Sequence, residues 1–139
     1  MQRDISDIYR AMRRCPQPII ALIRRCLRGG FSLALASDIR IAATTAKMNA
    51  AFIRAGLTAC DMGCSYLLPR LVGLSVASEL MMTGKFISAE RALKVNLVPR
   101  WSASRSSPIP PSSTLLTCWQ RPDGFSVTKD GLNLVLTPS

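Results

Sequence analysis

Histidine is absent from this chain. That removes Ser-His-Asp and Cys-His catalysis, along with the usual zinc ligand sets. Acids are scarce, with 8 Asp+Glu against 18 Lys+Arg. No apolar run is long enough to cross a bilayer without a charge interrupting it. The opening residues, MQRDISDIYRAMRR, mix acids with arginines and have no apolar h-region, so a secretory signal is not expected there. Disulfide pairing is not expected either. The five cysteines, Cys15, Cys26, Cys60, Cys64 and Cys118, are odd in number and irregularly spaced. Reduced thiols in a cytoplasmic setting are the expectation. Cys60 and Cys64 stand four apart, as neighbours on one helical face do, and read as small buried apolar residues rather than a redox pair.

What is present is a basic, moderately hydrophobic chain of 139 residues, about one domain long, with a net charge of +10. Its arginines are dispersed over amphipathic segments. No helix-turn-helix, zinc or aromatic-stacking signature accompanies them, so a nucleic-acid partner is not expected. Ile5, Ile8, Tyr9 and Met12 fall at helical spacing, with Asp4 near the N-terminus and Pro16 and Pro18 ending the run. PIIALI reads as a short buried strand, FSLALAS as a buried helix of about two turns, and DIRIAA as a strand. A loop is expected at Thr44 and Thr45. CSYLLPRLVG predicts a helix that Pro69 kinks or ends. SVASELMMTG predicts a helix with Ser75 as N-cap and Gly84 after its end. SAERALKVN predicts another, capped by Ser88 with Glu90 in its first turn, and LVPRW a short strand. The core-forming part is expected to run to Trp101, as one unit over residues 1–101. A Ser/Pro-rich irregular segment (102–124) and a C-terminal helical remnant (125–139) would follow.

Gly29 and Gly30 lie between the PIIALI strand and the FSLALAS helix. The first N–H groups of a helix have no intrahelical partner, and the helix dipole favours negative charge there. Glycine lets a ligand approach such a backbone closely. A strand–Gly–Gly–helix segment can therefore hold a phosphate or a developing oxyanion, or it can simply be a tight turn.

The wider context narrows the choice. PQPIIALI, GGFSLALASDIRIAATTAKM, GLTACDMGCSYLLPRLVG and ELMMTGKFISAERALKVNLV follow one another in this order. Together they closely resemble the crotonase family, the enoyl-CoA hydratases and isomerases. The resemblance implies an α/β, partial crotonase (ClpP-like) fold with short strands and buried and C-terminal helices. It implies an acyl-CoA thioester as substrate, no cofactor or metal, no membrane or nucleic-acid partner, and a homo-oligomer, since the family forms trimers and hexamers. Gly29 matches the position whose N–H holds the thioester oxygen, with Gly30 beside it. The second oxyanion donor and the N-terminal strands that help bind CoA are expected to fall outside this chain, leaving apolar faces such as that of PIIALI exposed.

Departures from the family pattern are concentrated at the chemistry. Ser32 and Phe52 match the two positions where hydratases carry glutamate. Serine does not titrate near neutrality and phenylalanine can only pack, so water addition by two carboxylates is not supported. Asp61 matches a catalytic aspartate of dienoyl-CoA isomerases; it is equally readable as a helix cap. Asp38 reads as a turn acid, and Glu79 and Glu90 as exposed helix positions.

IRRCLR stands where the family has small residues, and burying three unpaired guanidiniums would cost several kcal/mol each. They must reach solvent, find partners, or change the loop. One set of synonymous codons for Ile23–Arg28, read one base on, encodes Ser-Gly-Ala-Ala-Cys-Gly, close to the family pattern. The expectation is a truncated, locally frame-shifted relative whose activity is impaired. The alternatives are a non-catalytic remnant or interaction module, and a basic nucleic-acid binder.

Overall fold

The computed structural model describes residues 2–56 and 63–102. Helix α1 (Gln2–Arg14) leads into strand β1 (Ile20–Leu27), helix α2 (Gly29–Ala36) and strand β2 (Ile39–Asn49). A 3-10 turn (Ile53–Ala55), α3 (Cys64–Val72), α4 (Leu74–Thr83), β3 (Ile87–Ser88), α5 (Ala89–Lys94) and β4 (Arg100–Ser102) complete the described order. This is the α/β architecture expected from the sequence. Most of the segments expected at 102–124 and 125–139 lie outside the described residues.

Strand β2 organises the sheet. It pairs in parallel with β1 and β4 and antiparallel with β3. Helix α2 has no polar face. It is sandwiched between this sheet and α1 and α3, burying Phe31, Ser32, Ala34, Leu35 and Ala36. Met48, Leu68, Leu80, Ile87, Leu97 and Val98 fill the remaining core, each at most 1% exposed.

Four expectations need correction. No loop occurs at Thr44 and Thr45, because β2 continues to Asn49. The β1 partner of β2 shifts from Ile23↔Ala42 to Arg25↔Lys47, so a bulge in β2 absorbs the exposed threonines and pairing resumes beyond it. Pro69 does not end α3, which runs on to Val72. There the Arg70 guanidinium donates to the Tyr66 carbonyl at 2.8 Å and stacks on the Tyr66 ring at 3.6 Å, covering the turn that proline weakens. Ser75 is not an N-cap. α4 starts one residue earlier, after Gly73 at φ 79°, whose carbonyl accepts from the Ala77 N–H at 3.1 Å.

The fourth correction concerns PIIALI, which is not a fully buried strand. β1 continues through IRRCL, and of its residues only Ile23 is buried, while Leu22 is 48% exposed. Among the described residues β1 pairs with one strand, β2. Arg24, Arg25 and Arg28 all reach solvent.

The α5 cap is as expected, with the Arg91 N–H donating to the Ser88 hydroxyl at 3.3 Å. Ser88→Ala should lower stability by about 1 kcal/mol in urea unfolding without changing the denaturant slope. Gly84 ends α4 at φ 55°, as expected. Glu79 and Glu90 are exposed and pair with Arg91 and Lys94.

Candidate functional site

The glycine pair opens α2 where β1 ends. The Arg28 N–H donates to the Asn49 carbonyl at 3.1 Å, carrying the β1–β2 pairing up to the helix. The Arg28 carbonyl accepts from the Ser32 N–H at 3.1 Å, closing the first turn. The Gly29 and Gly30 amides fall within that turn and have no intrahelical acceptor. Gly29 is half-buried and Gly30 exposed. A methyl group at Gly30 would meet only Cys26 Cβ, at 3.9 Å, an ordinary contact. The strained backbone lies one residue earlier: Arg28 holds φ 50° and ψ −119°, a conformation belonging to glycine.

Ser32 is fully enclosed, and among the described residues its Oγ completes no hydrogen bond of ordinary geometry. Tyr9 from α1 interacts with it, and Cys64 from α3 lies near Tyr9. Burial raises the Tyr9 pKa, the Ser32 hydroxyl offsets part of the rise, and Cys64 adds to it. Tyr9 and Cys64 were not read as site residues from the sequence. The helical spacing of Ile5, Ile8, Tyr9 and Met12 placed Tyr9 on a packed face, but nothing in it named Ser32 as the neighbour.

Phe52 is 2% exposed and belongs to the hydrophobic core, directly before the 3-10 turn. Asn49 lies three residues before it, buried. Its Nδ2 donates to the Gly84 carbonyl at 2.9 Å, while Oδ1 has no partner among the described residues. Asp61 lies outside the described residues. The structure therefore places Gly29, Gly30 and Ser32 on one helical turn and Phe52 in the adjoining core.

A cleft of about 270 Å³ flanks the opposite side of α2, bounded by α1 and β1, with Gly30, Arg25 and Cys26 in its lining. Burial pushes the Cys26 thiol up to about 12, so it is not a nucleophile at neutral pH. Among the described residues no group of histidine, cysteine and acidic side chains could hold a metal. No helix among them is long and apolar enough to cross a membrane.

The profile of the Enoyl-CoA hydratase/isomerase family matches residues 1–106. The chain belongs to that family. This bears out the crotonase resemblance. A Mycobacterium tuberculosis relative, Probable enoyl-CoA hydratase EchA12, is 47% identical over 97 residues, covering 69% of this chain and 34% of the relative. Among solved structures, a probable enoyl-CoA hydratase/isomerase from Mycobacterium abscessus superposes with a TM-score of 0.82 at 35% identity, over 99% of this chain and 53% of the other. A monofunctional enoyl CoA isomerase from M. smegmatis gives 0.74 at 37% identity, over 97% and 64%. This hydratase/isomerase-family chain thus spans about a third of that curated relative and about half of the Mycobacterium abscessus structure.

Proposed function

We propose that the chain carries the acyl-CoA-recognising core of an enoyl-CoA hydratase/isomerase and is impaired in water addition. What carries this reading is the Gly29 amide at the start of α2 together with the burial of Ser32 and Phe52, the residues that the resemblance matches to the family's two glutamates. The amide can hold a thioester oxygen that becomes negative as an enolate forms, the helix dipole favouring that charge. A sealed serine hydroxyl and a phenyl ring offer no carboxylate to activate water. Asp61 is the acid we assign to any remaining proton transfer between carbons. Free Cys15 and Cys26 thiols fit a cytoplasmic setting, and the family implies a homo-oligomer.

Two measurements on the purified protein test this. Hydration of a short enoyl-CoA, followed by loss of its conjugated absorbance, should not exceed the buffer rate. A rate well above background overturns the impairment. Thermal unfolding should shift upward with an acyl-CoA, by about 2.7 kcal/mol at a hundredfold excess over Kd. An unchanged midpoint overturns the recognition of acyl-CoA.

Arg28 favours a second reading, in which IRRCLR is the product of a shifted frame. The backbone there keeps a glycine conformation around an arginine side chain. The nucleotide sequence decides: an alternative frame across Ile23–Arg28 that restores small residues supports this reading, and its absence ends it.

A further inference from the structure

Asn49 ends strand β2 inside the core. Its neighbours Met48, Ala50, Ala51 and Phe52 are apolar and each at most 8% exposed, and Asn49 itself is 1% exposed. An enclosed amide whose Oδ1 has no partner among the described residues costs folding free energy. An apolar side chain would fill this place without that cost. The asparagine is therefore explained by what its other groups hold.

Those groups hold two different elements. The Nδ2 group donates to the Gly84 carbonyl at 2.9 Å, at the end of α4. The backbone carbonyl accepts from the Arg28 N–H at 3.1 Å, at the start of α2. Gly84 is also gripped by the turn after Phe52: a Cβ on it would lie 3.1 Å from Ile53 Cγ2 and 3.2 Å from Arg54 Cγ. The chain from Asn49 to Arg54 is thus anchored on Gly84 at both ends.

The bond to Arg28 matters because of the peptide unit that follows. The Arg28 carbonyl and the Gly29 N–H belong to one planar trans unit, so they point in opposite directions. The Ser32 N–H, at 3.1 Å, turns that carbonyl into the helix, which turns the Gly29 N–H out of it. The Asn49 carbonyl fixes the other side of Arg28. The direction of the Gly29 amide is therefore set from the end of β2, and the end of β2 is set from Gly84.

We propose that Asn49 is a positioning residue for the Gly29 amide: by tying the end of β2 to Gly84 it aims that N–H at the thioester oxygen. This rests on the acyl-CoA reading and adds to it a residue that touches no substrate.

The test uses the full chain with isotope-labelled glycine. The chain has 8 glycines, so few amide signals appear, and Gly29→Ala identifies that of Gly29. The probe is butyryl-CoA, which has no double bond to hydrate. In the parent, at saturation, the Gly29 amide proton should move downfield as it bonds to the thioester oxygen. In Asn49→Ala it should stay at its ligand-free position, and affinity should fall about tenfold or more. Ser88→Ala, which weakens the α5 cap and leaves this linkage intact, should keep the full downfield movement. If Asn49→Ala does not fold, Gly84→Ala takes its place, since a side chain at φ 55° is strained and presses on Ile53 and Arg54. Its signal staying put supports the proposal, and full movement overturns it. An unmoved signal in the parent overturns the acyl-CoA reading and this inference with it. Movement in the parent matched by equal movement in Asn49→Ala overturns the positioning role alone. Loss of movement in Ser88→Ala as well shows that any destabilisation suffices, and also overturns it.

Discussion

Arg40→Met is expected to lower stability by about 3 kcal/mol, a loss as large as that of emptying a core position. Arg40 is 9% exposed, yet its guanidinium serves three carbonyls: Ser37 at 2.7 Å, Leu97 at 2.9 Å and, more weakly, Leu35 at 3.4 Å. Two of these acceptors belong to the C-terminal end of α2, where the last carbonyls have no helical donor. The third belongs to the segment after α5. One side chain therefore joins α2, β2 and the end of the described chain.

Burial and the nearby Arg13 push the Arg40 pKa down, with Asp38 opposing them. Removing the guanidinium therefore relieves some desolvation and repulsion. Methionine also keeps most of the packing volume, so the loss isolates the polar contribution. Three enclosed acceptors left without donors outweigh the relief, at about 1–3 kcal/mol each for the well-aligned pair. The melting temperature should fall on the order of 15 °C for a unit of this size. Arg40→Lys should recover less than half of the loss, since one ammonium cannot reproduce a planar fork aimed at separate carbonyls. A midpoint for Arg40→Met within about 0.5 kcal/mol of the parent would show that these bonds carry little net stability.

Much of the fold was legible because its signals are local. The spacing of Ile5, Ile8, Tyr9 and Met12, and the prolines after them, foretold α1 and its end. Ser88, Glu90 and Gly84 announced helix termini through cap chemistry that depends on a few neighbouring residues. What escaped depends on distance in the sequence. Arg40 bonds to a carbonyl 57 residues away, which no local pattern encodes. The Thr44–Thr45 pair interrupts the alternation of β2, and only its pairing with β1 and β3 on the far side of the bulge shows that the strand resumes. An apolar run such as PIIALI marks a strand but does not say how many neighbours it has.

Motif position singled out Gly29, Gly30, Ser32 and Phe52 as candidates, and the fold puts the first three on one helical turn. It was silent on Tyr9, because tertiary packing alone brings Tyr9 to Ser32 and Cys64 to Tyr9. For IRRCLR it left three outcomes open, and the arginines take the first of them by reaching solvent, while Arg28 also holds a backbone with positive φ.

Arg28→Gly should therefore stabilise the protein, by about 1–2 kcal/mol. At φ 50° and ψ −119° a side chain is crowded by its own backbone, and such a residue costs about 1–3 kcal/mol. Glycine removes that strain, giving back about 0.5–1 kcal/mol through its freer unfolded state. The conformation is held on both sides, by the Arg28 N–H to Asn49 and by the Arg28 carbonyl accepting from Ser32. The residue therefore cannot relax without opening the junction between β1 and α2. Losing an exposed arginine beside Arg24 and Arg25 could also stabilise by reducing repulsion, and Arg28→Ala separates the two causes. Alanine removes the charge but keeps the Cβ that makes the backbone strained, so it should gain little. Arg24→Gly supplies the opposite control: its backbone is not among those with positive φ, and glycine within a strand should cost about 0.5–1 kcal/mol. Urea unfolding with an unchanged slope would read all three variants on one scale. If Arg28→Ala gains as much as Arg28→Gly, the strain assignment is wrong and charge repulsion is the cause. If only glycine gains, the turn into α2 has kept the backbone of a glycine loop beneath an arginine.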